Sequence, residues 1–74
     1  MEVSIYPVTI VAARYGGSYE PGRWLAFPYE APDLPQGWDG EDVDCRVFWE
    51  GWKEPVGAGS TPNDAYLDLA SKAR

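Results

Sequence analysis

Six consecutive residues, Asp39-Gly-Glu-Asp-Val-Asp44, carry four carboxylates: Asp39, Glu41, Asp42 and Asp44. Carboxylates set this densely could do three kinds of work. Two of them flanking a cleft at about 5–10 Å would serve glycoside hydrolysis. Several converging on one point would hold calcium. An array spread over a surface would meet the lysines and arginines of a partner. Hydrolysis needs a concave site, and 74 residues enclose little volume. Calcium needs the ligand order, central glycine and terminal glutamate of an EF-hand loop, and this run has none of them. The chain has no histidine. The usual base near neutral pH is therefore missing, as is the commonest partner of a serine or cysteine nucleophile. The expectation is a non-enzymatic protein with no metal and no cofactor, which leaves the surface array.

The carboxylates belong to a longer base-free run. From Tyr29 to Cys45 the chain holds Glu30, Asp33, Asp39, Glu41, Asp42 and Asp44 and no lysine or arginine. Overall, twelve acids face six bases, a net charge of −6. A phosphate backbone repels such a chain, because nucleic-acid binding depends on cations displacing counterions. Nucleic acid is thus not expected as a direct ligand. Excess negative charge has two readings, solubility and steering toward a basic surface. Composition does not separate them.

Aromatic residues interleave with the acids. Four tryptophans and five tyrosines are many for one small core. Trp24, Phe27 and Phe48 are assigned to that core, since large rings stabilise a domain poor in aliphatics. Trp38, Trp49 and Trp52 stay open between core and interface. At least one of the three is expected to stand substantially exposed beside residues 39–44. Rings beside carboxylates suit a surface that meets arginine and lysine, the acids pairing with the charge and the rings stacking on guanidinium planes. A base-stacking platform would set its rings in a basic groove instead. The partner-facing set is therefore Asp33, Trp38, Asp39, Glu41, Asp42, Asp44, Glu50 and Trp52. Carboxylates spaced along a rigid loop would imitate the phosphates of nucleic acid and occupy the cationic groove of a protein that binds it.

The elements that must hold this set in place are those of one small α+β domain spanning residues 1–74. Val3 to Tyr15 reads as a strand rich in β-branched residues, with Pro7 marking an edge or a bulge. Gly16-Gly-Ser18 and Pro21-Gly22 then turn the chain. A second strand over Arg23–Pro28 places Leu25 and Phe27 on one face and Trp24 and Ala26 on the other. Residues 29–54 form an irregular acidic-aromatic segment, because Pro28, Pro32 and Pro35 exclude a continuous helix and Gly37 and Gly40 favour turns. Within it, one turn of helix is allowed around Gly40–Val43. Cys45 to Trp52 is either a third strand or a turn of helix packing Phe48 and Trp52. A short strand over Pro55–Gly59 leads to the last element. There Thr61 can cap a helix, Pro62 suits its first position, and Asp64 stands near its positive end. Ala65, Tyr66, Leu69, Ala70 and Ala73 line one face as far as about Ala73, while Leu67 falls outside the stripe. Asp68 and Lys72 are four apart with the acid first, the helpful order. The fold expected is an antiparallel sheet of three to four strands with one C-terminal helix on one face. Tyr66 and Leu69 should be buried against a sheet that contains Val8, Ile10, Leu25 and Phe27.

Cys45 is the sole cysteine. No disulfide can form within the chain, and a lone cysteine fits a reducing compartment and a buried position. The N-terminus lacks a basic leader before its apolar run, so no signal peptide is expected. The longest apolar stretch, Val8–Ala13, is too short to span a bilayer. A cytoplasmic protein in a bacterial host, with no membrane partner, is the expectation.

Three stretches carry a resemblance. Arg23-Trp-Leu-Ala-Phe-Pro, then Pro32-Asp-Leu-Pro, and later Val56-Gly-Ala-Gly-Ser-Thr-Pro-Asn-Asp-Ala-Tyr-Leu-Asp-Leu69 resemble the HicB-type antitoxins. That family shows a strand ending in an aromatic and proline, a Pro-Asp-Leu-Pro-like turn, and a Gly-x-Thr helix start. The likeness covers about two-thirds of the chain and is interrupted by residues 36–54. It implies a sheet of three or so strands under a helix, and neutralisation of a small basic ribonuclease toxin. A looser likeness is to small acidic phage-encoded anti-CRISPR proteins, several of which imitate DNA. Arg14-Tyr-Gly-Gly-Ser-Tyr-Glu-Pro-Gly-Arg-Trp24 is similar to segments of small phage and mobile-element proteins. This second likeness implies an inhibitor docked on the basic nucleic-acid-binding surface of a CRISPR-Cas-like host defence complex. A carbohydrate-binding module using exposed tryptophans is a third class.

Overall fold

The computed structural model describes residues 6–72, and the early part of the first predicted strand, Val3–Ile5, lies outside them. Three strands, β1 (Thr9–Ala12), β2 (Trp24–Phe27) and β3 (Gly57–Gly59), form an antiparallel sheet in the order β1-β2-β3. Thr9 pairs with Phe27 and Ala12 with Trp24, while Leu25 pairs with Ala58 on the other side of β2. Two helices complete the α+β fold: α1 (Asp42–Gly51) and α2 (Pro62–Lys72).

The central strand supplies the core because it is flanked on both edges. Leu25, Ala26 and Phe27 have no exposed surface. Their side chains alternate between faces, as strand geometry requires. Ala26 joins Ala65 and Leu69 of α2, with Val8, Ile10 and Trp24 packed alongside. Leu25 and Phe27 point to the opposite face, where they meet Ala13 and Val56 under a layer that includes Trp38, Trp49 and Trp52. Leu25 and Phe27, which the alternation puts together on one face, therefore lie on the side of the sheet away from α2. The pleat that separates them from Ala26 turns them toward the aromatic layer. Tyr66, expected to be buried, is half-buried, whereas Leu69 is sealed.

Helix α2 follows its local signals. The Thr61 hydroxyl accepts the Asp64 N–H at 3.1 Å, and the Ala65 N–H bonds the Thr61 carbonyl at 3.0 Å. Such a cap contributes about 1 kcal/mol. At the other end, Asp68 pairs with Lys72 at 2.8 Å and accepts the Ala58 N–H at 2.9 Å. The Lys72 ammonium also donates to the Val56 carbonyl at 2.9 Å. These contacts clamp α2 to the β3 edge. The Lys72 ammonium and the Ala58 N–H together hold the Asp68 carboxyl below its ordinary range. Leu67 is exposed, as its place outside the stripe predicts.

The largest departure from expectation is α1. Residues 42–51 are a regular helix of ten residues, which bears out the helical alternative for Cys45–Trp52 over the strand but is longer than the single turns expected in an irregular segment. Cys45, Phe48 and Trp49 recur at helical spacing, and Trp52 continues the row just past the helix end. Only one edge of this helix is buried, and the buried edge is the one that faces Phe27. Its helical character comes from that packing, since a ten-residue helix is marginal alone.

Candidate functional site

Phe27 is the hub of the aromatic layer. The rings of Trp38, Trp49 and Trp52 stand 5.9, 6.0 and 6.4 Å from it, centroid to centroid. Phe48 stacks on Trp52 at 5.0 Å and meets Trp49 edge-on at 4.8 Å. The Trp49 indole N–H donates to the Trp38 carbonyl at 3.1 Å, which ties α1 to the preceding loop. None of the three tryptophans is substantially exposed, against the expectation for at least one of them. All three are half-buried, because the single sealed ring of Phe27 draws each of them inward.

The carboxylates have the opposite fate. Asp33 sits exposed in a 3₁₀ turn, Ala31–Asp33. Asp39 is exposed in the loop before α1, where its backbone carbonyl accepts the Arg14 guanidinium at 2.8 Å. Glu41 occupies the N-cap of α1 without a side-chain cap bond. Asp42 and Asp44 lie in the first turn, and Glu50 lies in the last turn, one residue before the helix end. Negative charge in a first turn complements the helix dipole, worth about 0.3–1 kcal/mol per residue. The Tyr19 hydroxyl donates to Asp42, and this bond, helped by burial and by the Asp42 charge, raises the phenol above its ordinary range. Among the described residues no three metal-binding side chains converge on one point. The acids form an array, not a cage.

Sequence reading missed two residues in this array. Val43 and Val47 are exposed large hydrophobics at 60% and 57% of their full surface. Helical geometry puts them one turn apart on the face opposite Cys45, with Glu50 beside them. The signal was their i, i+4 spacing, legible only once residues 42–51 are read as helix. The outer face of α1 is therefore a short apolar ridge set among carboxylates, with Arg46 as its one cation.

Sequence reading also missed what braces the array from behind. Glu20 keeps 4% of its surface exposed. Its carboxylate accepts backbone N–H bonds from Tyr15 at 2.9 Å, Gly17 at 3.2 Å and Tyr19 at 3.4 Å. Burial pushes its pKa up, but these bonds outweigh burial and the carboxyl lies below its ordinary value. The Cys45 thiol contacts the same carboxylate at 3.8 Å and the Trp38 carbonyl at 3.6 Å. Burial, then the Glu20 charge and hydrogen bond, push that thiol up, which disfavours its thiolate. Glu20 thus locks the 14–20 turn and, through Cys45, backs onto α1.

Below the C-terminal end of α1 lies an open cleft of about 360 Å³ lined by Tyr19, Pro21, Trp49, Trp52, Glu54, Pro55, Val56 and Lys72. The Trp52 indole nitrogen is buried and meets no acceptor among the described residues. No helix among the described residues is long and apolar enough to cross a membrane. Comparison of the chain with known protein families, with curated proteins and with solved structures finds no match to any of them.

Proposed function

We propose that this chain is a small non-enzymatic inhibitor whose acidic outer face, centred on α1, docks on the basic nucleic-acid-binding surface of a host defence complex. The observation that carries the reading is the ridge of Val43 and Val47, exposed among Asp42, Asp44 and Glu50. Interfaces commonly surround a small apolar centre with a polar rim. Here the rim is anionic, so it selects a cationic partner and speeds encounter with it. Carboxylates on a helix braced through Cys45 and Trp49 present their charge from fixed positions, which suits imitation of a phosphate row.

A second reading is favoured by a different observation. The order of three antiparallel strands followed by a helix on one face is what the HicB-type likeness implies, with α1 as an insertion between β2 and β3. On that reading the same acidic face neutralises a small basic ribonuclease toxin.

Both readings share one test. The protein is immobilised, exposed to bacterial lysate at low salt, and eluted with salt or with a double-stranded oligonucleotide. The matched variant carries Asp39→Asn, Glu41→Gln, Asp44→Asn and Glu50→Gln, sparing Asp42 for its bond to Tyr19. Retained proteins should be basic nucleic-acid binders that salt and oligonucleotide release. The variant should hold them about fourfold less tightly or worse, since each of the four exposed pairs is worth about 0.2–1 kcal/mol. A defence-complex subunit supports the first reading and a small ribonuclease the second. Retention unchanged by salt, oligonucleotide and the fourfold variant would overturn both.

A further inference from the structure

The cleft beside Trp52 combines features that the acidic ridge does not. Two indoles, Trp49 and Trp52, and the Tyr19 ring supply aromatic surface, and Pro21 and Pro55 supply apolar walls. Glu54 stands at its edge, exposed, with no hydrogen bond or ion pair among the described residues. The other charged lining residue, Lys72, is already committed. Its ammonium is held by the Asp68 carboxylate at 2.8 Å and the Val56 carbonyl at 2.9 Å. Among the described residues, the one uncompensated charge lining the cleft is therefore negative.

Aromatic faces joined to a free carboxylate form a receptor for a cation, the rings attracting it through their quadrupoles and the acid through its charge. Among biological cations, guanidinium fits best. It is planar and weakly hydrated, so it can lie on an indole while its edge donates to a carboxylate. We infer that this cleft takes an arginine side chain from an extended segment of the basic partner, with the guanidinium on the Trp49/Trp52 aromatic wall and its N–H groups on Glu54. The inference rests on the proposed engagement of a basic protein and adds an anchor to it.

The test uses three blocked tripeptides, Gly-Arg-Gly, Gly-Lys-Gly and Gly-citrulline-Gly, titrated into the full ¹⁵N-labelled chain. The indole N–H resonances are the readout, assigned with Trp49→Phe and Trp52→Phe. The arginine peptide should shift the Trp49 and Trp52 signals saturably, the lysine peptide more weakly, and the uncharged citrulline peptide least. Glu54→Gln, an exposed change that spares the fold, should weaken the arginine peptide about two- to fivefold, as expected for one exposed ion pair. Equal shifts from arginine and citrulline peptides, or shifts confined to Trp24 and Trp38, would overturn the inference. Failure here is distinguishable from failure of the proposed function. Salt- and oligonucleotide-sensitive capture with a silent cleft overturns the anchor alone. A cleft that binds arginine, in a protein whose capture ignores salt and oligonucleotide, overturns the acidic docking face alone.

Discussion

Helix α2 lies so close to β3 that one methyl group should separate them. A Cβ added at Gly57 would stand 2.1 Å from the Ala65 carbonyl oxygen and 2.7 Å from the Leu69 backbone nitrogen and Cβ. Two of these three atoms are backbone, so no rotamer change relieves the clash. To restore ordinary contact at about 3.5 Å, α2 must lift by about 1 Å or more. Lifting it opens the Ala26–Ala65–Leu69 contact and stretches the Ala58 N–H bond to Asp68. Overpacking of this kind costs about 1–3 kcal/mol. A lost hydrogen bond to a charged group adds about 1.5–3 kcal/mol. A core of this size supplies only about 3–5 kcal/mol in total. Gly57→Ala should therefore remove most of the stability and move the urea midpoint far below the wild-type value. Gly51→Ala is the internal control, because an added Cβ there meets nothing within 4 Å at the last residue of α1. It should stabilise by about 0.5–1 kcal/mol, the usual gain when alanine replaces a helical glycine. Urea unfolding followed by far-ultraviolet circular dichroism and tryptophan fluorescence would read both. A Gly57→Ala midpoint at or above the wild-type value, with Gly51→Ala shifted upward as expected, would refute direct seating of α2 on the β3 backbone.

Two further outcomes follow from the brace behind α1. The Glu20 carboxyl lies below its ordinary value of 4.5, so the stability it contributes is present above that value and lost as pH falls through the lower folded one. Glu20→Gln should be less stable by about 1–3 kcal/mol at pH 7 and lose less on acidification, as read by urea midpoints from pH 7 to 3. Parallel curves for the two proteins would show that the carboxylate does not hold the turn. Cys45 should resist Ellman's reagent at pH 8 in the folded protein and react fully in denaturant, because burial and the Glu20 charge both disfavour its thiolate. Rapid stoichiometric labelling of the native state would place the thiol at the surface.

What was legible in the sequence was what short-range chemistry decides. Thr61, Pro62 and Asp64 announce the start of α2, and Ala65 and Leu69 mark the stripe that meets the sheet. Alternation along Trp24–Phe27 gave the two faces of the central strand, and punctuation by Gly16, Gly17 and Pro21 gave the turn before it. The acidic set was also legible, since six of its members stand exposed where the charge pattern put them. Helix α1 was not. Its spacing at Cys45, Phe48, Trp49 and Trp52 is helical, but Val43, Val47 and the aromatics are only middling helix formers, and Glu41 makes no cap bond. That helix depends on tertiary contact with Phe27, which local propensity does not contain. The tryptophans were undecided for the same reason, because one sealed phenylalanine between them turns three candidate surface rings into a half-buried layer. Glu20 left no trace in the pattern at all. One acid in a tyrosine- and glycine-rich turn looks like any solvated charge, and only the folded chain turns three backbone N–H groups onto it. That convergence lets a carboxylate stay charged out of water behind the helix that carries the acidic face.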